Sequence, residues 1–148
     1  MKIPFVIGRA LFGSYFLYNG INHLKNRSSL AQYAGSKNVP KPDFAVTATG
    51  IAMLIGGTSI LLGIKPKLGA AAIIGFLAGV SPIMHDFWRV EDPNQRLNDM
   101  INFTKNMALL GGATALLAVE EPWPASVPVS KPSALQRARR FVRRPLAA

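Results

Sequence analysis

The sequence predicts an all-α fold: a four-helix transmembrane bundle with a surface helix in the first loop and a basic C-terminal tail. Three observations lead there. Of the 148 residues, 49% are apolar and only 16% charged, against about 25% charged in a soluble domain. Mean hydropathy is positive, +0.23. Four stretches, each near the ~17–25 residues that cross a bilayer as a helix, lack the polar face of a soluble amphipathic helix. No segment alternates with period two, and backbone groups in lipid must be satisfied within their own segment, so helices are the expected element.

The first stretch runs from Ile3 to Asn22. Lys2 and the apolar run imitate a signal peptide, but Asn19-Gly20-Ile21-Asn22-His23 offers no small-x-small cleavage site, so it reads as a retained first span. In the following loop Ser28 or Ser29 can cap a short helix with Leu30, Tyr33 and Ala34 on one face. Gly35, Pro40 and Pro42 end that helix, which is expected to lie on the membrane surface. The second stretch runs from Phe44 to Leu62, and Ile64-Lys65-Pro66-Lys67 makes a tight turn into the third, Leu68 to Met84. Pro82 predicts a kink or early stop there. A polar connection from His85 to Asp99 leads to the fourth, Met100 to Val119.

Lipid gives no hydrophobic drive for helices to pack, so contacts should use small residues. Gly50, Gly56, Gly57 and Gly63 of the second stretch, Gly75-x-x-x-Gly79 of the third and Gly111-Gly112 of the fourth suit close packing inside one bundle or against a partner helix. The bundle domain is expected over 1–121, and 122–148 is a Pro-rich connector plus an amphipathic basic tail.

The net charge of +10 divides unevenly. The tail carries Lys131 and five arginines, Arg137, Arg139, Arg140, Arg143 and Arg144, with no acid. A helix from Ser133 with an apolar stripe among these arginines suits an anionic lipid surface or an acidic partner subunit. Nucleic acid is not the expected partner, because the high pI is mostly a property of the tail. Four spans put both termini on one side. That side holds 10 basic residues against 7 on the other, so the positive-inside rule places the termini in the cytoplasm.

The absence of cysteine removes disulfides, thiolate zinc sites, cysteine-held iron–sulfur clusters and thiol exchange. There is no phosphate-binding glycine loop with lysine, no HExxH and no GxSxG.

With four spans, the end of the first, the end of the third and the start of the fourth meet one membrane face. Those places hold Asn19 and His23, then His85, Asp86 and Trp88, then Asn98, Asp99, Asn102, Lys105 and Asn106. Lys105 lies five residues inside its stretch, about 7.5 Å deep, where an ammonium needs snorkelling or a partner. Asp86 and Asp99 are the anions available to it on that side. The cluster is either a satisfied polar plug or a small-molecule site formed by His23, His85, Asp86, Trp88, Asn102, Lys105 and Asn106. A quinone headgroup would suit it, since its carbonyls need donors. Ligation of haem iron or chlorophyll magnesium by His23 or His85 is the weaker reading, and no metal site of protein ligands is evident. At the other end Arg9 snorkels or pairs with Glu120, a purely structural clamp.

Gly8-Arg9-Ala10-Leu11-Phe12-Gly13 with Phe16, Gly20 and His23 resembles the opening of DoxX-family membrane proteins. Tyr33-Ala34 before Val39-Pro40 is similar to that family's first external loop. His85-Asp86-Phe87-Trp88 and Phe103-Thr104-Lys105-Asn106 through Gly111-Gly112 resemble its third-span end and fourth span. The resemblance covers roughly 5–119. It implies a four-helix protein of the bacterial inner membrane, associated with redox complexes such as a thiosulfate:quinone oxidoreductase. The expected role is a small accessory subunit of a larger respiratory or photosynthetic electron-transfer complex, held by helix packing and the basic tail. The alternative is a quinone-linked oxidoreductase subunit using the polar site. Whether the chain is itself an enzyme stays open.

Overall fold

The computed structural model describes residues 2–128. The connector beyond Pro128, the tail helix expected from Ser133 and the contacts expected of Arg137, Arg139, Arg140, Arg143 and Arg144 lie outside them.

The described chain is all helical: α1 Lys2–Lys25, α2 Arg27–Ser36, α3 Pro42–Leu62, α4 Pro66–Met84 and α5 Pro93–Leu117, with a 3-10 turn at Phe87–Arg89 before α5. Four long helices alternate in direction, with α1 against α3, α3 against α4 and α4 against α5. Short α2 leans on α3. Two of the long helices, α3 and α4, are long and apolar enough by themselves to cross a membrane. The other two carry more polar residues: α1 has Arg9, Asn19, Asn22 and His23, and α5 opens with two polar turns.

Several boundaries differ from expectation. Pro42, read as a terminator of the short helix, instead starts α3. Lys41 and Lys65 adopt left-handed backbone (φ 48° and 47°) directly before Pro42 and Pro66, which take the first helical turns of α3 and α4. Proline suits that position because its missing N–H would have no intrahelical partner there. Neither Ser28 nor Ser29 caps α2, whose N-cap is Asn26. Pro82 is accommodated inside α4, which stops two residues later. The polar connection before the fourth stretch is largely helix. Asp92 caps α5 through the Gln95 N–H at 2.7 Å, and the helix starts at Pro93, seven residues ahead of Met100, so Lys105 sits in the middle of its helix.

The core is built from Phe16, Met53, Ile60, Ala70, Ile73, Leu77 and Ala113, with Trp123 at one end. The α1–α3 crossing is set by glycine. A Cβ on Gly13 would lie 2.9 Å from the Gly57 carbonyl oxygen, and one on Gly20 would lie 2.9 Å from that of Gly50. The two pairs are seven residues apart on antiparallel helices, so backbone meets backbone twice along one seam. Outward, α1 shows Ile3, Ile7, Leu11, Tyr15 and Tyr18, and α3 shows Phe44, Ile51, Ile55 and Leu62.

The alternation of direction carries the C-terminal ends of α1 and α4 and the N-terminal end of α5 to one end of the molecule. Beyond α5 the chain folds back over the opposite end. Trp123 lies edge-on to Phe5, ring centroids 5.4 Å apart, and Val127 N–H donates to the Leu62 carbonyl at 2.9 Å.

Candidate functional site

The end where α1, α4 and α5 meet holds a network centred on Asp99. Its side chain is buried, 2% exposed, because it sits in the second turn of α5 facing α4 and the loop after α2. Lys37, just past α2, places Nζ 2.7 Å from Asp86 Oδ1 and 3.3 Å from Asp99 Oδ2. His85 Nδ1 is 3.2 Å from Asp99 Oδ1. One ammonium thus bridges two carboxylates, one of which also holds an imidazole, and the four groups come from three chain segments.

The electrostatics follow from the geometry. The Lys37 hydrogen bond holds the Asp86 carboxyl below the ordinary carboxylate range, outweighing the opposing effect of burial, and the Lys37 charge adds to it. Burial alone would lower the Lys37 ammonium, but hydrogen bonds and charges from Asp86 and Asp99 together raise it. Burial, and then the charge of Asp99, raises the phenol of nearby Tyr33.

Beside the network lies a cavity of about 220 Å³ whose walls include His23 and Asn19 from α1, His85, and Lys105 and Asn106 from α5. A second, apolar cavity of about 290 Å³ lies between α2, α3 and α4, walled by Ala34, Val46, Gly75, Gly79 and Ile83 among others. The two share His23, Leu30, Tyr33, Phe76, Val80 and Met84. A chamber with polar side chains set into a largely apolar wall and an almost wholly apolar one therefore abut along shared residues.

The residues expected at the site divide as follows. His23, His85, Lys105 and Asn106 line the polar cavity, and Asp86 joins the network behind it. Asn102 lies outside that wall, taking a hydrogen bond from Lys105 Nζ at 2.7 Å. Trp88 is half exposed and packs on Phe87 and Phe103, centroids 5.1 and 5.6 Å away. The ammonium paired with Asp86 and Asp99 is Lys37 and not Lys105. Lys37 is one of the seven basic residues assigned by topology to the face away from the termini, and nothing in the sequence singles it out from the others. Arg9 pairs differently from expectation too. It donates from Nη2 to the Ala125 carbonyl at 2.9 Å and from Nη1 to Ser126 Oγ at 3.3 Å, while Glu120 is exposed.

The DoxX family model matches residues 5–86, more than half of the chain. The chain belongs to the DoxX family. The match takes in α1 through α4, with His23, Lys37, His85 and Asp86. In this DoxX protein α5, which supplies Asp99, Lys105 and Asn106, lies beyond the matched segment. No curated protein and no solved structure gives a significant match. Family membership and the apolar helices make this a membrane protein.

Among the described residues no group of three or more His, Asp or Glu side chains could hold a metal ion. The polar cavity has the donors and acceptors that a small oxygenated ring needs, and the apolar cavity beside it can take a hydrocarbon tail.

Proposed function

We propose that this DoxX protein is a four-span subunit of a redox complex in a bacterial inner membrane, with cytoplasmic termini, and that it binds a lipid-tailed quinone. The observation that carries this reading is the shared wall between the polar and apolar cavities. A headgroup in the first, beside His85, Lys105 and Asn106, puts its tail in the second. The outward apolar stripe of α1 supports a lipid environment for that helix as well as for α3 and α4.

The quinone's ring supplies the two-electron, two-proton chemistry when bound. This chain's residues do the rest. Lys105 and Asn106 donate to a ring oxygen, His23 and His85 meet the other polar positions, and Asp99 with Lys37 fixes His85. Electrons are exchanged with a partner subunit, and the basic tail is the proposed contact with that partner or with anionic lipid.

The test is titration of the full chain in nanodiscs with decylubiquinone. Saturable binding is expected, weakened about tenfold or more by Lys105→Ala. Absence of saturable binding by both the oxidised and the reduced form of the probe refutes the site. Co-purification of redox subunits in mild detergent is expected as well, and a monodisperse lone protein refutes the subunit role.

A further inference from the structure

Both histidines of the polar cavity are held through the same ring nitrogen. His23 Nδ1 is 3.1 Å from the Asn19 carbonyl oxygen and His85 Nδ1 is 3.2 Å from Asp99 Oδ1. A carbonyl oxygen only accepts, so the His23 hydrogen must sit on Nδ1. The Asp99 carboxylate imposes the same tautomer on His85, as a second group on one imidazole nitrogen decides the state of the other. Each neutral ring then leaves Nε2 with a lone pair for whatever occupies the cavity.

We infer that this cavity selects the hydroxyl-bearing, reduced form of its headgroup, with His85 and His23 as the acceptors of the ring O–H groups. The inference rests on the headgroup reading above and adds its redox form and the role of each imidazole. A hydroquinone hydroxyl donates to Nε2 and can still accept from Lys105 or Asn106. A quinone carbonyl facing the same Nε2 meets lone pair against lone pair. Asp99, on the far side of the ring, favours the imidazolium that forms if His85 takes the hydroxyl proton. In that transfer the O–H bond breaks, an Nε2–H bond forms, and the resulting oxyanion lies in the cavity that Lys105 lines. Asp99 is here a positioning residue.

The groups around His85 are Asp86 beside it in sequence, Tyr33 and Lys37 from α2 and its loop, Asp99 and Lys105 from α5, and His23 across the cavity from α1. Protonation turns each Nε2 from acceptor into donor, so the selectivity must fade in acid.

The experiment compares decylubiquinol, kept reduced under argon, with decylubiquinone on the full chain in nanodiscs. At about pH 8 the hydroquinone is expected to bind about tenfold tighter or more, and the ratio to fall as the solution is made acidic. Asp99→Asn lets an amide N–H face Nδ1 and moves the His85 ring hydrogen to Nε2, so it should lower the ratio, with His23 alone still accepting. Lys105→Ala should weaken both forms alike. Equal or tighter binding of the quinone by the unaltered protein at about pH 8 overturns the inference and leaves the headgroup site standing. Binding of neither form overturns both. The ratio and its pH course need no variant, so a misfolded Asp99→Asn leaves the comparison decisive.

Discussion

Lys37 and Asp99, 62 residues apart in sequence, are joined by a 3.3 Å ion pair in which the carboxylate is buried and the ammonium is 13% exposed. The same Nζ holds Asp86 at 2.7 Å. The segment after α2 is thereby tied to the end of α4 and to α5 at once. Removing Lys37 leaves Asp99 buried with only His85, and uncompensated buried charge is what makes breaking a buried pair costly.

Lys37→Ala should therefore destabilise the protein by more than the ~1 kcal/mol of an exposed pair and up to the ~3–5 kcal/mol of a fully buried one. Arg27 and Asp43 provide the internal control. Their side chains are 54% and 64% exposed at 3.2 Å, so Arg27→Ala should cost about 0–1 kcal/mol. Unfolding of both variants in mixed detergent micelles measures the difference, and equal losses would contradict the network's importance.

The network also sets a pH window for stability. Asp86 is held below its ordinary value, so its contribution is present above the unfolded carboxyl's pKa of about 3.9 and is lost as pH falls through the folded value. Lys37 and Tyr33 are raised, so theirs are present below about 10 and lost as pH rises through the folded values. A plateau from about pH 5 to about pH 9 is expected, with losses on both sides. In Lys37→Ala both shoulders should shrink. Thermal midpoints across pH for the two proteins decide it, and unchanged shoulders would show that other groups set the window.

Much of this end was legible in the chain. Helical direction follows from the order of apolar stretches, so His23, His85, Lys105 and Asn106 could be assigned to one face without coordinates. The pairing was not legible, because Lys37 and Lys105 share that face and sequence carries no distance. The start of α5 was missed for a different reason. Its first two turns are polar, so hydropathy marks only the segment from Met100, while the capping signal Asp92-Pro93 with Gln95 was there to be read. Arg9 misled by charge: its partners are the Ala125 carbonyl and the Ser126 hydroxyl, and nothing in composition points to uncharged groups 116 and 117 residues away.

Glycine separates packing from open face. A Cβ on Gly57 would lie 2.7 Å from the Leu17 backbone nitrogen and 2.8 Å from the Gly13 carbonyl oxygen, whereas Gly75 and Gly79 have nothing within 4 Å. Gly57→Ala should force α1 and α3 apart and cost about 1–3 kcal/mol. Gly75→Ala and Gly79→Ala relieve helix-interior glycine and should be neutral or stabilising by about 0.5–1 kcal/mol each. The measurement is the unfolding midpoint of the three variants in one detergent. A loss at Gly75 or Gly79 as large as at Gly57 would mean that a second helix packs on that face of α4.

The two tryptophans make the last contrast. Trp123 is 2% exposed, packed edge-on against Phe5, with its Nε1 donating to the Val119 carbonyl at 3.3 Å. It pins the segment that returns over the ends of α1 and α3, where Ala125 and Ser126 receive the buried guanidinium of Arg9. Truncating it should cost about 3–5 kcal/mol, as for large core aromatics, because the site would keep a cavity. Loss of that anchor should also strip Arg9 of its acceptors, so Trp123→Ala combined with Arg9→Met should lose less than the sum of the single variants. Trp88, 50% exposed at the opposite end, should cost about 1 kcal/mol or less on truncation. Unfolding curves of the four proteins test this, and a small loss for Trp123→Ala would mean that the return segment does not help hold the bundle closed.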